Sequence, residues 1–236
     1  MIRSLLTLLF WIITTPAAAL VMFPYTLLSG KILPIYRVGL WIAWTGIRIA
    51  GVRVEVVGRD ELDPSGTYVF MSNHTSNLDP PLLIPLIPRR TSVLVKKELF
   101  RVPVLGQAMR LGALVPVDRS NRERAIESLR QAEKVLESGI NMTIFVEGTR
   151  SRDGRLLPFK KGPFHMAIAT GKQVVPITIA GTHELMPKGK VFSRSGVVRV
   201  VFHRPIDPAM YGDDREQLVA AVRERIAQDL PEHQRG

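Results

Sequence analysis

Residues 1–50 and residues 51–236 follow different rules of polarity. From Ser4 to Gly30 no position carries a charge, a run of 27 residues. At ~1.5 Å per residue a helix of that length reaches roughly 40 Å, enough to cross a bilayer. Pro16 and Pro24 would each interrupt its backbone ladder, which a membrane helix tolerates. A second apolar stretch, "ILPIYRVGLWIAWTGIRIAG", has only ten residues between Arg37 and Arg48, too few to span. Three arrangements fit the pattern. One is a secretory leader: "MIR", then "LLTLLFWII", then small residues at Ala17–Ala19. The apolar run continues through "LVMFPYTLL", well past a cleavage site. The others are a single transmembrane helix and a helical hairpin embedded in one leaflet. All three tryptophans precede residue 45, and tryptophan favours the membrane–water interface.

After Gly51 short apolar runs alternate with helical patterns. "VRVEVV" (52–57) alternates as a half-buried strand does. Further strands are expected at 67–72, 92–95, 113–117, 142–146, 174–180 and 197–202. "DPPLLIPLI" reads as a helix start, with Asp79 as N-cap and Pro80 at the first helical position. A short helix is expected over 102–112. The clearest one follows at 120–139, where Ser120 and Glu123 make a capping box. Ala125, Leu129, Ala132 and Leu136 share its inner face, and Gly139 ends it. Two more helices run over 162–171, stopped by Gly171, and over about 213–230, with Leu218, Val222 and Ile226 in register. Alternating strands and helices predict an α/β domain with a mixed sheet. The break near Gly51 divides the chain into a membrane-anchoring segment (1–50) and a globular domain (51–236).

Charge narrows the partners. Lysine and arginine outnumber acids by 32 to 21, a formal net charge of +11, so the partner is expected to be anionic: nucleic acid, lipid surface or phosphorylated substrate. Nucleic acid fits the charge alone, since zinc-finger spacing, an aromatic RNP motif and a basic helix run are all missing. With no cysteine in 236 residues, disulfides, thiolate metal sites and a cysteine nucleophile are excluded.

Candidate chemistry begins at "FMSNHTSNLDPP" (70–81). On a helix His74 and Asp79 would point to different faces, and in an extended chain they would lie roughly 17 Å apart. Pro80 moves Asp79 out of the helical region, and Asn73, Ser76 and Asn77 are turn formers, so a compact turn can return the carboxylate to the imidazole. A carboxylate on one ring nitrogen fixes the tautomer and leaves the other nitrogen free to take a proton. Otherwise Asp79 is only a helix cap and His74 a loop residue. "FVEGTRS" (145–151) follows another strand. Gly148 permits a positive φ, Arg150 offers a planar fork for phosphate, and Glu147 can orient that arginine or accept from a substrate hydroxyl. Lys160 and Lys161 precede a helix start and Lys96 and Lys97 end a strand. Walker A, HExxH and GxSxG motifs are missing. His165 reads as a structural residue of an apolar helix, and His203 as a strand-end residue without a role.

Taken in order, these blocks make the chain resemble the glycerolipid acyltransferases, and within them the 1-acyl-sn-glycerol-3-phosphate acyltransferase group. "NHTSNLD" resembles the family's H-x-x-x-x-D block, "KKELFRVPVLG" its second, "FVEGTRS" its third and "VVPITI" its fourth. The resemblance covers about residues 70–180. It implies His74 as general base and Asp79 as its orienting partner. Glu147, Gly148, Thr149 and Arg150 would bind the acceptor phosphate, with help from Lys96 or Lys97, between which the sequence does not choose. It further implies acyl transfer from acyl-CoA or acyl carrier protein to the sn-2 hydroxyl of lysophosphatidate, with no metal and no cofactor. The partners would be those substrates and membrane lipids, and the location the cytoplasmic face of the cell membrane. Glycerol-3-phosphate or another lysophospholipid is the neighbouring acceptor, and a scaffold that has lost its chemistry the more distant alternative.

Overall fold

The structure, a computed structural model, describes residues 2–118 and 121–236. Seven strands form one sheet: β1 (Val52–Val57), β2 (Val69–Ser72), β3 (Thr91–Lys96), β4 (Val115–Val117), β5 (Asn141–Phe145), β6 (Val174–Ala180) and β7 (Gly196–Phe202), in the order β1-β7-β6-β2-β5-β3-β4. β6, β2, β5, β3 and β4 are parallel; β7 pairs antiparallel to β6, and β1 runs parallel to β7. The sheet is therefore mixed, as the sequence predicts, and five strands deliver their carboxyl ends to one edge.

Alternation sorts the side chains onto two cores. Val69 and Met71 of β2, with Met142 and Ile144 of β5, pack beneath α5 (Arg122–Glu137), α6 (Gly162–Thr170) and α8 (Arg215–Gln228), whose Leu136, Phe164, Leu218, Val222 and Ile226 are fully buried. Phe70, Ile177, Val198 and Val200 face the other way, toward α2 (Leu33–Ile49) and α3 (Asp79–Leu83). Every β5 residue is buried, as expected of a strand covered on both faces, and its two polar residues are partnered: Asn141 Oδ1 accepts from Tyr68 N–H at 2.9 Å and Thr143 shares a hydroxyl–hydroxyl bond with Thr91 at 2.8 Å.

Two local expectations need correction. Helix α5 is capped by Asn121, whose side chain accepts from the Arg124 N–H at 2.9 Å; Ser120, the expected cap, lies outside the described residues. Asp79 opens α3 but does not cap it forward. Its carboxylate turns back toward the preceding loop instead.

The N-terminal segment is a helical hairpin. α1 (Ile2–Ser29) runs unbroken through Pro16 and Pro24 and packs on α2. Its polarity is inverted. Ser4, Thr7 and Thr26 face the protein, whereas Leu5, Leu9, Ile12, Ile13, Leu20 and Leu28 are exposed. Small polar residues inside and leucines outside suit lipid as solvent. The helix is long and apolar enough to cross a membrane. Trp11 donates to Ile42 O at 3.3 Å across the hairpin, over Gly46, where an added Cβ would lie 2.2 Å from the indole.

Candidate active site

The loop after β2 is fastened before it reaches His74. Asn73 extends the ladder with its side chain: Nδ2 donates to Ile179 O and Oδ1 accepts from Ile179 N, both at 2.8 Å. Ser76 Oγ donates to Met186 O at 2.7 Å. Thr75 and Thr182 share a hydroxyl–hydroxyl bond at 3.0 Å. The turn formers of the sequence thus stitch this loop to β6 and to α7 (Thr182–Leu185).

The stitched turn brings His74 and Asp79 together. His74 Nδ1 donates to Asp79 Oδ2 at 2.7 Å. The same oxygen accepts from the N–H groups of Thr75 and Ser76, each at 2.8 Å. The Asp79 side chain is 1% exposed, and its second oxygen has no partner among the described residues. The imidazole stacks on Phe145, with centroids 4.2 Å apart. With Nδ1 committed as a donor, Nε2 holds the free lone pair, and the side chain is 13% exposed at the carboxyl edge of the sheet, where α/β sheets bind ligands.

Glu147 stands elsewhere than the sequence suggests. It is 2% exposed, and both carboxylate oxygens are taken by the main chain: Oε1 by His74 N–H at 2.6 Å and Oε2 by Leu157 N–H at 2.9 Å. Neither oxygen is left for a ligand or for Arg150. Burial pushes its carboxyl up to about 7, against the two backbone N–H groups that pull it down; the charge of Asp79 adds to the rise, and Arg223 opposes it. The His74 carbonyl accepts from Ser151 N–H at 2.8 Å. The main chain of His74 is therefore gripped on both sides by the segment after β5. Sequence reading cannot find this clamp, because its donors are backbone groups 73 and 10 residues away.

The remaining candidates separate by environment. Gly148 adopts φ +70° beside the stem of Lys160. Thr149 is exposed and Arg150 half-buried. Lys188, which the sequence does not single out, donates to Arg150 O at 2.8 Å and to Thr149 Oγ1 at 3.3 Å. Lys97 is held by Asp118, which also pairs with Arg124 at 3.3 Å. Lys96 is more exposed, 3.6 Å from the exposed Glu98. Lys161 pairs with Glu216 at 2.6 Å on the surface. His165 lies on the exposed face of α6 rather than in the core. His203 follows β7 directly as a buried residue, bonded to Thr178 Oγ1 at 2.8 Å. Among the described residues no group of three or more His, Cys, Asp or Glu is placed to hold a metal ion.

The chain resembles known proteins in both sequence and structure. The family profile described as Acyltransferase matches residues 53–180. A chloroplastic 1-acyl-sn-glycerol-3-phosphate acyltransferase of Brassica napus is 37% identical over 190 residues, covering 79% of this chain and 54% of its own. The human 1-acyl-sn-glycerol-3-phosphate acyltransferase alpha is 33% identical over 175 residues, 73% of this chain and 62% of its own. This chain spans about half the length of the plant relatives from Brassica napus and Arabidopsis thaliana. The crystal structure of the 1-acyl-sn-glycerophosphate acyltransferase PlsC from Thermotoga maritima superposes with a TM-score of 0.77 at 26% identity, covering 95% of this chain and 93% of the other.

Proposed function

The chain belongs to the acyltransferase family, and from that premise we propose that it transfers a fatty acyl group from acyl-CoA or acyl carrier protein to the sn-2 hydroxyl of 1-acyl-sn-glycerol-3-phosphate, giving phosphatidate. The observation that carries the reading is the His74 ring, held through Nδ1 by a buried carboxylate 2.7 Å away, with Nε2 open at the sheet edge. Nε2 takes the sn-2 hydroxyl proton as the oxygen attacks the thioester carbonyl. The tetrahedral intermediate collapses with loss of the thiolate, which receives the proton back from His74. The ester bond forms, the C–S bond breaks, and free thiol is released. General base action of this kind is worth ~10²–10⁴ in rate. Asp79 stabilises the imidazolium while it exists. No metal and no cofactor enter the scheme.

Arg150 binds the acceptor phosphate, supported by Thr149. Lys96 assists, since Lys97 is occupied by Asp118. Glu147 holds the loop that presents them. The acceptor and product are lipids, which suits a chain whose α1 turns its leucines outward. Residues 1–50 contain four basic residues and no acid, the bias expected at a cytoplasmic membrane face. The test is a panel of acyl acceptors offered to the full chain in lipid micelles, read by product mass. Lysophosphatidate is expected to give phosphatidate at a higher rate than glycerol-3-phosphate or other lysophospholipids; preference for another acceptor would reassign the substrate.

A further inference from the structure

We propose that Arg223, on the C-terminal helix α8, is a positioning residue for the base: through the single peptide group that joins Leu156 to Leu157 it holds the carboxylate of Glu147, and through Glu147 the main chain of His74. The inference rests on the reading of His74 as general base. Arg223 lies outside residues 53–180, the part of the chain matched by the family profile.

The geometry is a relay. Arg223 Nη2 donates to Leu156 O at 3.2 Å and Nη1 to Leu157 O at 2.9 Å. The N–H of Leu157 donates to Glu147 Oε2 at 2.9 Å. The Leu156 carbonyl and the Leu157 N–H belong to one amide, so cation and anion sit at opposite ends of the same dipole and polarise it in the same sense. The other oxygen of Glu147 then receives His74 N–H at 2.6 Å.

Several contacts keep the guanidinium in place. Its carbon lies 5.4 Å from the Phe159 ring centroid. Leu218, Val222 and Ile226 bury the inner face of α8 completely. The Leu156 N–H is fixed by Gln234 O at 2.8 Å. Among the described residues no cation makes a direct ion pair with Glu147. The charged and titratable groups around it are His74 from the β2–α3 loop, Asp79 from the first turn of α3, Arg223 from α8, and Lys160 beside Gly148. Asp79 acts against ionisation of Glu147 and Arg223 for it.

Two acceptor oxygens are needed for two N–H donors, so the clamp works with Glu147 ionised. Without the guanidinium, Glu147 takes up a proton at higher pH, one oxygen becomes a donor facing an N–H, and His74 is released from its position. Displacing a catalytic group by about an ångström can cost ~10²-fold in rate.

The experiment uses the full chain in lipid micelles, with thiol release from acyl-CoA and lysophosphatidate followed between about pH 5.5 and 9. Arg223→Gln is expected to lower kcat about tenfold or more, to leave KM for lysophosphatidate within about twofold, and to move the acidic limb of the profile upward by at least about half a pH unit. Arg223→Lys, which keeps the charge, is expected to leave the limb near its wild-type position. A loss of kcat with an unmoved limb, or a rise in KM at unchanged kcat, overturns the proposal. A second readout does not depend on turnover. Arg223→Gln is expected to lower Tm by several degrees in the wild-type background and by no more than about a degree in a Glu147→Gln background. Fully additive losses overturn the coupling, and they do so even if lysophosphatidate is not a substrate, an outcome that would defeat the functional reading separately.

Discussion

The ring of His74 is confined by three kinds of contact: Phe145 against its face, Asp79 on Nδ1, and Glu147 on its own N–H. Each fixes a different degree of freedom, respectively the ring plane, the tautomer and the main-chain position. Glu147 shows what this costs. Folding raises its carboxyl from 4.5 to about 7, so in that range the folded chain holds a proton that the unfolded chain has released. The stability from this group is complete below about pH 4.5 and is lost as pH rises through 7. The full difference is on the order of 3 kcal/mol. In micelles, the wild-type Tm is expected to fall relative to that of Glu147→Gln between pH 5 and 8; a difference that stays constant with pH would contradict the assignment. The ionised form that serves His74 is thus the one folding disfavours. The pairing of His74 with Asp79 was legible in the sequence, because the turn formers between them make the return possible; Pro80 does not keep Asp79 out of the helix, since Asp79 is the first residue of α3. The clamp was not, since a carboxylate aimed at backbone N–H groups leaves no side-chain partner in the sequence to recognise.

All seven strands follow from apolar runs of the right length, and the structure moves their ends by no more than about two residues. The misread features are the ones that depend on where a short polar side chain turns. The cap of α5 is Asn121, whose side chain accepts from Arg124 N–H. Asp79 at the head of α3 spends one carboxylate oxygen on the loop behind it, a choice made by the tertiary position of His74 rather than by local propensity. The hairpin shows the opposite case, in which one glycine carries a packing requirement. Gly46 lies directly under the Trp11 indole. Gly46→Ala is expected to cost about 1–3 kcal/mol through overpacking, seen as a lower Tm in micelles. Gly39→Ala on the same helix meets nothing within 4 Å and is expected to be neutral or to stabilise by up to about 1 kcal/mol. Equal effects at the two positions would show that the indole does not pack there.

The sheet turns sequence blocks into a site. Blocks that end β2, β5 and β3 are far apart along the chain, yet the order β2-β5-β3 makes them neighbours at one edge. That order, and the reversed direction of β7 and β1 at the other end, could not be read from the sequence, because strand patterns carry no record of their partners. The break near Gly51 was legible, and the inverted polarity of α1 gives it a physical meaning: the apolar layer lies outside, where a lipid substrate would be. The account depends most on one proton transfer at His74. Its most direct test is thiol release from acyl-CoA in vesicles containing lysophosphatidate, with phosphatidate formation measured in parallel for the wild type and for His74→Ala at matched Tm. The account predicts one thiol per phosphatidate and a fall of at least ~10²-fold in the variant. Equal rates in the two proteins would contradict it.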